Sequence, residues 1–201
     1  MKTFICSDLH LGHKRVLIYE PCRLRAVYDK YYSEDSKFTC FEQFQEFYKI
    51  CCDSYNTAWE MKAAVDIILQ KHDDLIIENW NSVVSKDDLV WFLGDFALGG
   101  ATKYEAYKKR LNGRIKMIMG NHDTKPASYY YKLGFSFVSR HPILLGQNII
   151  LSHEPVENLE GSKFFNYFGH VHSQADIPTV TENGQCVCIE RQELKPIEIE
   201  F

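Results

Sequence analysis

Long apolar runs are missing from this sequence of 201 residues; an unbroken stretch such as Leu89–Leu93 falls far short of the ~20 residues a membrane-spanning helix needs. No secretory leader is expected either: Met1 leads straight into a strand-like segment, so the expected location is the cytoplasm. Basic charge does not dominate. The net charge of -4 leaves no basic face of the kind that coats nucleic acid. Paired cysteines are also lacking, because seven (Cys6, Cys22, Cys40, Cys51, Cys52, Cys186, Cys188) is an odd number, and reduced thiols are expected. Cys186 and Cys188 have the look of a metal pair. However, a two-residue step in a strand puts both on one face, and no second pair completes a zinc site, so packing is expected.

What is present is ordinary globular material: 45% hydrophobic and 25% charged residues exclude disordered and collagen-like classes. A chain this long can bury about 70% of its unfolded surface, enough for one domain without disulfides. No internal repeat or low-complexity linker divides it. Polar punctuation at the ends of apolar segments is the informative feature.

Lys2–Ser7 reads as a strand that delivers Asp8-Leu9-His10-Leu11-Gly12-His13. An extended backbone would send Asp8 and His10 to the same side, a spacing suited to chelation. Val16-Leu17-Ile18 follows, with Pro21 as its stop. Residues 22–72 are rich in aromatics and carry no catalytic constellation. Thr39-Cys40-Phe41-Glu42 resembles a capping box, and Phe41, Phe44, Tyr48, Cys51 and Tyr55, then Trp59, Val65, Ile68 and Leu69, form a buried stripe on two helices or one bent helix. A further helix is expected over Asp73–Val84. Leu89–Leu93 is a strand covered on both faces and ends in Gly94-Asp95-Phe96. A helix over Thr102–Leu111 and a strand over Arg114–Met119 then lead into Gly120-Asn121-His122-Asp123, where the glycine is expected to turn the chain with positive φ.

Beyond this point short strands are expected at Phe135–Ser139, Ile143–Leu145, Asn148–Leu151, Phe164–Phe168, Cys186–Glu190 and Pro196–Phe201, as a second, largely antiparallel sheet. Two of them run into Ser152-His153-Glu154 and Gly169-His170-Val171-His172. Acids and imidazoles gathered at the carboxyl ends of strands suit an α/β sheet with its site in the crevice. Asp8, His10, Asp95, Asn121, His122, His153, His170 and His172 are too many donors for one four-coordinate ion. They suit two adjacent cations sharing a carboxylate, the arrangement that clamps both oxygens of an in-line displacement at phosphorus. His72 and His141 read as structural, a reading that is also open to His13. Lys103, Lys108, Lys109, Arg110, Arg114 and Lys116 read as a solvated helix end, with a phosphate-rich substrate as the alternative.

Asp8-x-His10, Gly94-Asp95, Gly120-Asn121-His122-Asp123, His153 and Gly169-His170-x-His172 resemble, in order, the motifs of the calcineurin-like metallophosphoesterase superfamily. Asn79–Val84 and Gly94–Gly99 further resemble its small bacterial and phage branch. The resemblance implies an α/β fold: a four-layer α/β/β/α sandwich of two mixed sheets flanked by helices, with a dinuclear metal site at the strand ends. The expected organisation is a single metallophosphoesterase domain over 1–201 with a helical, aromatic-rich insertion at about 24–72, longer than in such relatives.

By the same resemblance, Asp8, His10, Asp95 and His172 hold one metal, and Asp95, Asn121, His153 and His170 hold the other. A metal-bridging hydroxide attacks phosphorus in line. His122 is the acid for the leaving oxygen, and Asp123 would orient its ring. His13 and Arg23 are weaker candidates for substrate phosphate contacts. The two divalent ions are expected to be manganese, iron, zinc or nickel.

The expected function is hydrolysis of a phosphomonoester or phosphodiester, with a nucleotide among the candidates. The alternatives are a nuclease acting on DNA or RNA with the same two-metal chemistry, supported only by the basic cluster, and a catalytically silent binding scaffold. The expected partner is therefore a small phosphoester substrate. Nucleic acid is not favoured, no membrane is involved, and the aromatic insertion is the surface available for a homo-oligomer.

Overall fold

A computed structural model of the chain describes residues 1–200. In chain order the elements are β1 (Thr3–Cys6), α1 (Val16–Tyr19), α2 (Pro21–Tyr31), α3 (Phe41–Asp53), α4 (Trp59–Val83), β2 (Leu89–Phe92), α5 (Ala101–Arg110), β3 (Arg114–Ile118) and α6 (Ala127–Lys132). They continue with β4 (Phe137–Ser139), β5 (Ile143–Leu145), β6 (Ile149–Leu151), β7 (Phe165–Phe168), β8 (Val180–Thr181), β9 (Gly184–Cys186), a 3-10 turn (Ile189–Arg191) and β10 (Ile197–Glu198). The chain forms two compact units, one of Met1–Leu11 with everything from Ile77 onward, the other of Gly12–Ile76. No helix among the described residues is long and apolar enough to cross a membrane.

The first unit has the α/β fold of two mixed sheets flanked by helices. One sheet runs β10-β1-β2-β3-β4 and the other β5-β6-β7-β9-β8. In the first, β1, β2, β3 and β4 are mutually parallel and only β10 is reversed. The second was expected to be largely antiparallel. Instead its centre, β6-β7-β9, is parallel, with antiparallel partners only at its edges. Phe137–Ser139 and Ile197–Glu198 fall in strands expected in the second sheet, yet both belong to the first, because their ladders form with β3 and β1; Phe201 of the expected last strand lies outside the described residues.

Strand alternation divides the buried side chains. Ile5, Trp91 and Ile118 of the first sheet share a cluster with Leu151, Tyr167 and Ile143 of the second. Burying each large aliphatic side chain contributes about 1.5–3 kcal/mol. From the intervening position Phe92, ring contacts pass to Phe96 and on to Tyr104 of α5 and Tyr130 of α6. Trp80, near the end of α4, is fully buried and donates its indole N–H to the Asn112 carbonyl at 3.0 Å. The separate helix expected over Asp73–Val84 is the continuation of α4, a helix of 25 residues. α1 ends just before Pro21, as expected, and Pro21 then opens α2, where its missing N–H costs no hydrogen bond.

The second unit is a helical body with an aromatic core, and residues 24–72 lie within it. Leu24, Val27, Tyr28, Phe44, Tyr48, Val65 and Ile68 form its core, and Tyr32, Phe38 and Phe44 stack within 6.2 Å of one another. Trp59 does not extend the buried stripe; it is 75% exposed at the start of α4. Cys40 rather than Thr39 is the residue before α3, and the reach-back contact is Gln43 Oε1 accepting from Thr39 N–H at 3.0 Å. Arg23 is fully buried, with a guanidinium nitrogen 3.4 Å from His72 Nε2, a placement inside its unit rather than on a face open to phosphate. His72 Nδ1 lies 3.0 Å from Asp73, whose carboxylate accepts from Gly12 N–H. The half-buried His13 uses its carbonyl to accept from Val16 at the start of α1.

Candidate metal centre

Four parallel strands end at one edge of the first sheet, and the chain leaving them carries the polar residues. Asp8 and His10 follow β1, Asp95 follows β2, and Asn121 to Asp123 follow β3. His153 and the His170–His172 segment follow β6 and β7 of the second sheet. The backbone there is not extended. Asp8, His10, Asp95, His170 and His172 have φ of 62°, 48°, 59°, 69° and 46°. Each such left-handed residue costs on the order of 1 kcal/mol and persists only where its surroundings hold it. Here the holders are hydrogen bonds donated by backbone N–H groups: Asp8 N–H to Gly94 O at 2.9 Å, His10 N–H to Asp95 O at 3.0 Å, and His170 N–H to the Asp8 side-chain Oδ2 at 2.9 Å. Asp8 and His10 therefore converge through a coiled turn, not through strand alternation.

Gly120 is not among the positive-φ glycines, contrary to the expected turn. Its role is close approach. A Cβ there would strike Asp95 Oδ1 and come within 2.7 Å of His153 Cε1 and 2.8 Å of Asp95 Cγ. Gly169 is confined in the same way, by Ser7 Oγ and by Asp8 Oδ2 at 2.5 Å.

Two donor groups result. Asp8, His10 and His172 form one and Asp8, Asp95 and His153 the other, with the ligand atoms of each group within 4.8 Å of one another. His10 Nε2 lies 3.7 Å from Asp8 Oδ1 and 3.4 Å from Asp95 Oδ2, and His153 Nε2 lies 3.6 Å from that same Asp95 oxygen. Asp95 Oδ2 thus sits beside an imidazole of each group. Asn121 Oδ1 adds a neutral oxygen 2.9 Å from His153 Nε2 and 3.1 Å from His170 Nδ1.

Ring orientation is set from behind. Nδ1 of His153 is 2.7 Å from the Leu93 carbonyl and Nδ1 of His172 is 3.0 Å from Glu190 Oε1. A proton on each Nδ1 satisfies those acceptors and leaves the Nε2 lone pairs facing the oxygens of Asp95 and Asp8. Lone pairs facing lone pairs across 3.6 Å need a positive charge between them, so the donor set fits cations. Burial pushes the Asp8 carboxyl up, but the hydrogen bond with His10 and the positive charge that His153, His172 and His10 carry whenever they are protonated outweigh it and hold the group well below the usual carboxylate range.

The hydrogen bonds of Asp123 go to the backbone and to Tyr130 rather than to the His122 ring. Oδ2 accepts from Asp95 N–H at 2.7 Å and Gly120 N–H at 2.9 Å, and Oδ1 accepts from Phe96 N–H at 3.1 Å and Tyr130 Oη at 3.4 Å. Asp123 ties the loops after β2 and β3 together, and burial foremost pushes its pKa up to about 6. His122 is exposed at the rim, its ring 5.2 Å from that of His10 and its N–H bound to Asp95 Oδ1 at 2.8 Å.

Glu190 and Cys188 were not among the expected site residues; Cys188 was expected only to pack. The Glu190 side chain is 1% exposed, and Cys188 Sγ donates to Asp8 Oδ2 at 3.3 Å while accepting from His172 N–H at 3.2 Å. Burial pushes the Cys188 thiol far above its usual range, which keeps it a donor. For Glu190 a signal existed: an acid at the end of an expected strand, as at Asp8 and Asp95.

Residues 1–189 match the calcineurin-like phosphoesterase family. The Gene 66 protein of Mycobacterium phage L5 is 28% identical over 125 residues, 60% of this chain and 39% of that protein. The uncharacterized protein MJ1445 of Methanocaldococcus jannaschii is 43% identical over 60 residues, covering 27% of this chain and 32% of its own. The matched parts thus span about a third of the length of these curated relatives. The fold resembles the crystal structure of the Aquifex aeolicus protein AQ665, with a TM-score of 0.59 at 18% identity over 98% of this chain and 95% of the other. The family match, running from β1 to the corner where Cys188 meets Asp8, makes this chain a member of the calcineurin-like phosphoesterase family.

Proposed function

We propose that this protein hydrolyses a small phosphomonoester or phosphodiester with two divalent cations. The observation that supports the reading is Asp95 Oδ2, which lies 3.4 Å from His10 Nε2 and 3.6 Å from His153 Nε2, beside one imidazole from each donor group. Asp8, His10, Asp95 and His172 would hold one ion, and Asp95, Asn121, His153 and His170 the other. The mixed carboxylate, amide and imidazole set favours manganese, iron, zinc or nickel. When bound, the ions supply Lewis-acid charge that acidifies water and neutralises the phosphoryl oxygens.

This chain's residues do the rest. Glu190 and the Leu93 carbonyl hold the His172 and His153 rings, and Asp123 fixes the loop spacing. Exposed His122 donates its proton to the ester oxygen as the P–O bond to the leaving group breaks and the bond from the water oxygen forms. In the basic cluster after Lys103, Lys109 pairs with Glu105 at the surface, and Lys108 and Lys116 lie over Phe135 and Trp91. Small substrates are accordingly proposed ahead of nucleic acid. Protein stripped of metal and reloaded with manganese should hydrolyse an aryl phosphate or a bis-aryl phosphodiester. Inactivity with every divalent metal would overturn the reading.

A further inference from the structure

Beside Asn121 and His153 lies a cavity of about 330 Å³ whose other walls include Ile118, Met119, Arg140 and Glu154. It is at the small end of ligand sites, sized for a metabolite and not for a polymer. Its one cation comes from the same edge as the donor groups. β1, β2 and β3 deliver Asp8, Asp95 and Asn121, and β4, the next parallel strand, ends at Ser139 and delivers Arg140. Ile118 pairs with Ser139 across the β3–β4 ladder, which brings the chain entering Asn121 alongside the chain entering Arg140.

The Arg140 backbone is fixed on both sides. Ser139 O accepts from Met119 N–H at 2.8 Å, and Ser139 Oγ bonds to His141 through both N–H (3.1 Å) and carbonyl (2.8 Å), so Arg140 sits at the top of a closed turn. Its guanidinium makes one hydrogen bond among the described residues, Nη2 to Lys125 O at 3.2 Å, in the loop that carries His122. That bond steers the side chain and leaves most of its five N–H donors for a ligand. A planar fork of donors is the group that takes a phosphate through two parallel hydrogen bonds. Glu154, at the same cavity, is an acceptor for hydroxyl or amino donors.

We infer that Arg140 is a specificity-determining residue, which binds a second anionic group of the substrate in this cavity while the scissile phosphate lies at the donor groups. The substrate class is then a small phosphoester bearing a second phosphate and hydrogen-bond donors, such as a nucleoside bisphosphate or a sugar bisphosphate. This inference rests on the phosphoester reading above and narrows it.

The test separates the two. Inorganic pyrophosphate is titrated calorimetrically into manganese-loaded wild-type protein, Arg140→Ala and Arg140→Lys. Loss of a charge-assisted pair predicts an affinity about ten- to a hundredfold weaker in Arg140→Ala, with Arg140→Lys between. In turnover, kcat/KM for a nucleoside bisphosphate should fall at least tenfold further in Arg140→Ala than kcat/KM for an aryl phosphate, chiefly through KM. Equal pyrophosphate affinity in wild type and Arg140→Ala, or no binding to wild type, overturns the role of Arg140. Absence of turnover in wild type with every metal overturns the phosphoester reading instead, and the pyrophosphate titration still decides Arg140. Exposure of Arg140 makes unfolding of the variants a poor explanation, and thermal melts check it.

Discussion

Replacing Gly120 with alanine is the sharpest perturbation the structure offers, because one methyl group would act on both donor groups at once. Its Cβ would strike Asp95 Oδ1 and sit 2.7 Å from His153 Cε1 and 2.8 Å from Asp95 Cγ. Neither neighbour can retreat cheaply. Asp95 is 2% exposed and holds His122 N–H, and the His153 ring is tied to the Leu93 carbonyl at 2.7 Å. Overpacking of this kind costs about 1–3 kcal/mol of stability. For a chain of this size that is roughly 2–4 °C in melting temperature per kcal/mol.

The larger effect falls on metal binding, since Asp95 and His153 move apart; a loss of at least the 10- to 100-fold seen when a ligand's support is disturbed is expected. Gly134→Ala is the control. Gly134 has φ of +95° with open space around it, so alanine there is strained by about 1 kcal/mol without touching the site. Manganese titration calorimetry and thermal melts on both variants read the difference. Wild-type manganese affinity in Gly120→Ala would refute the close-approach argument, as would equal loss in both variants.

Other perturbations separate the remaining roles. His122→Ala should keep its metals and lose about 10²- to 10⁴-fold in kcat, measured on an aryl phosphate alongside metal content; unchanged turnover would remove His122 from catalysis. Glu190→Ala frees the His172 ring and should weaken manganese binding about 10- to 100-fold, with partial recovery in Glu190→Gln, which keeps an acceptor oxygen. Tyr104 is a probe of pH. Burial foremost pushes its phenol up to about 12, so the unfolded chain ionises first. Its contribution is therefore fully present below pH ~10 and is lost, on the order of 2 kcal/mol, as pH rises toward 12. Urea unfolding of Tyr104→Phe should show a shallower alkaline decline than wild type.

Much of the fold was legible because periodicity is local. Leu89–Phe92 and Arg114–Ile118 follow from short apolar runs, and Ile143–Leu145 from its flanking turns. Sheet membership was not legible. A strand of three residues, such as Phe137–Ser139, carries too little pattern to say whether its partner is β3 or β5, and the ladder to Lys116–Ile118 decides it. Helix continuity was equally hidden, since Lys71 to Asp74 interrupts the apolar stripe of α4 with polar residues that a long helix accommodates.

At the site, the sequence by itself determined the kinds of donor: hard oxygen from Asp8, Asp95 and Asn121 and imidazole nitrogen from the histidines, each at the end of an apolar run. Donor type is a property of one residue and survives without coordinates. Tertiary structure alone decided what stands behind the donors. Cys188 meets Asp8 across 180 positions and His170 meets it across 162, and no local pattern encodes such pairs. The same reason turned Asp123 from an expected partner of the His122 ring into a brace between loops, made Gly120 a matter of clearance and not of φ, and brought Arg140 to the cavity beside Asn121.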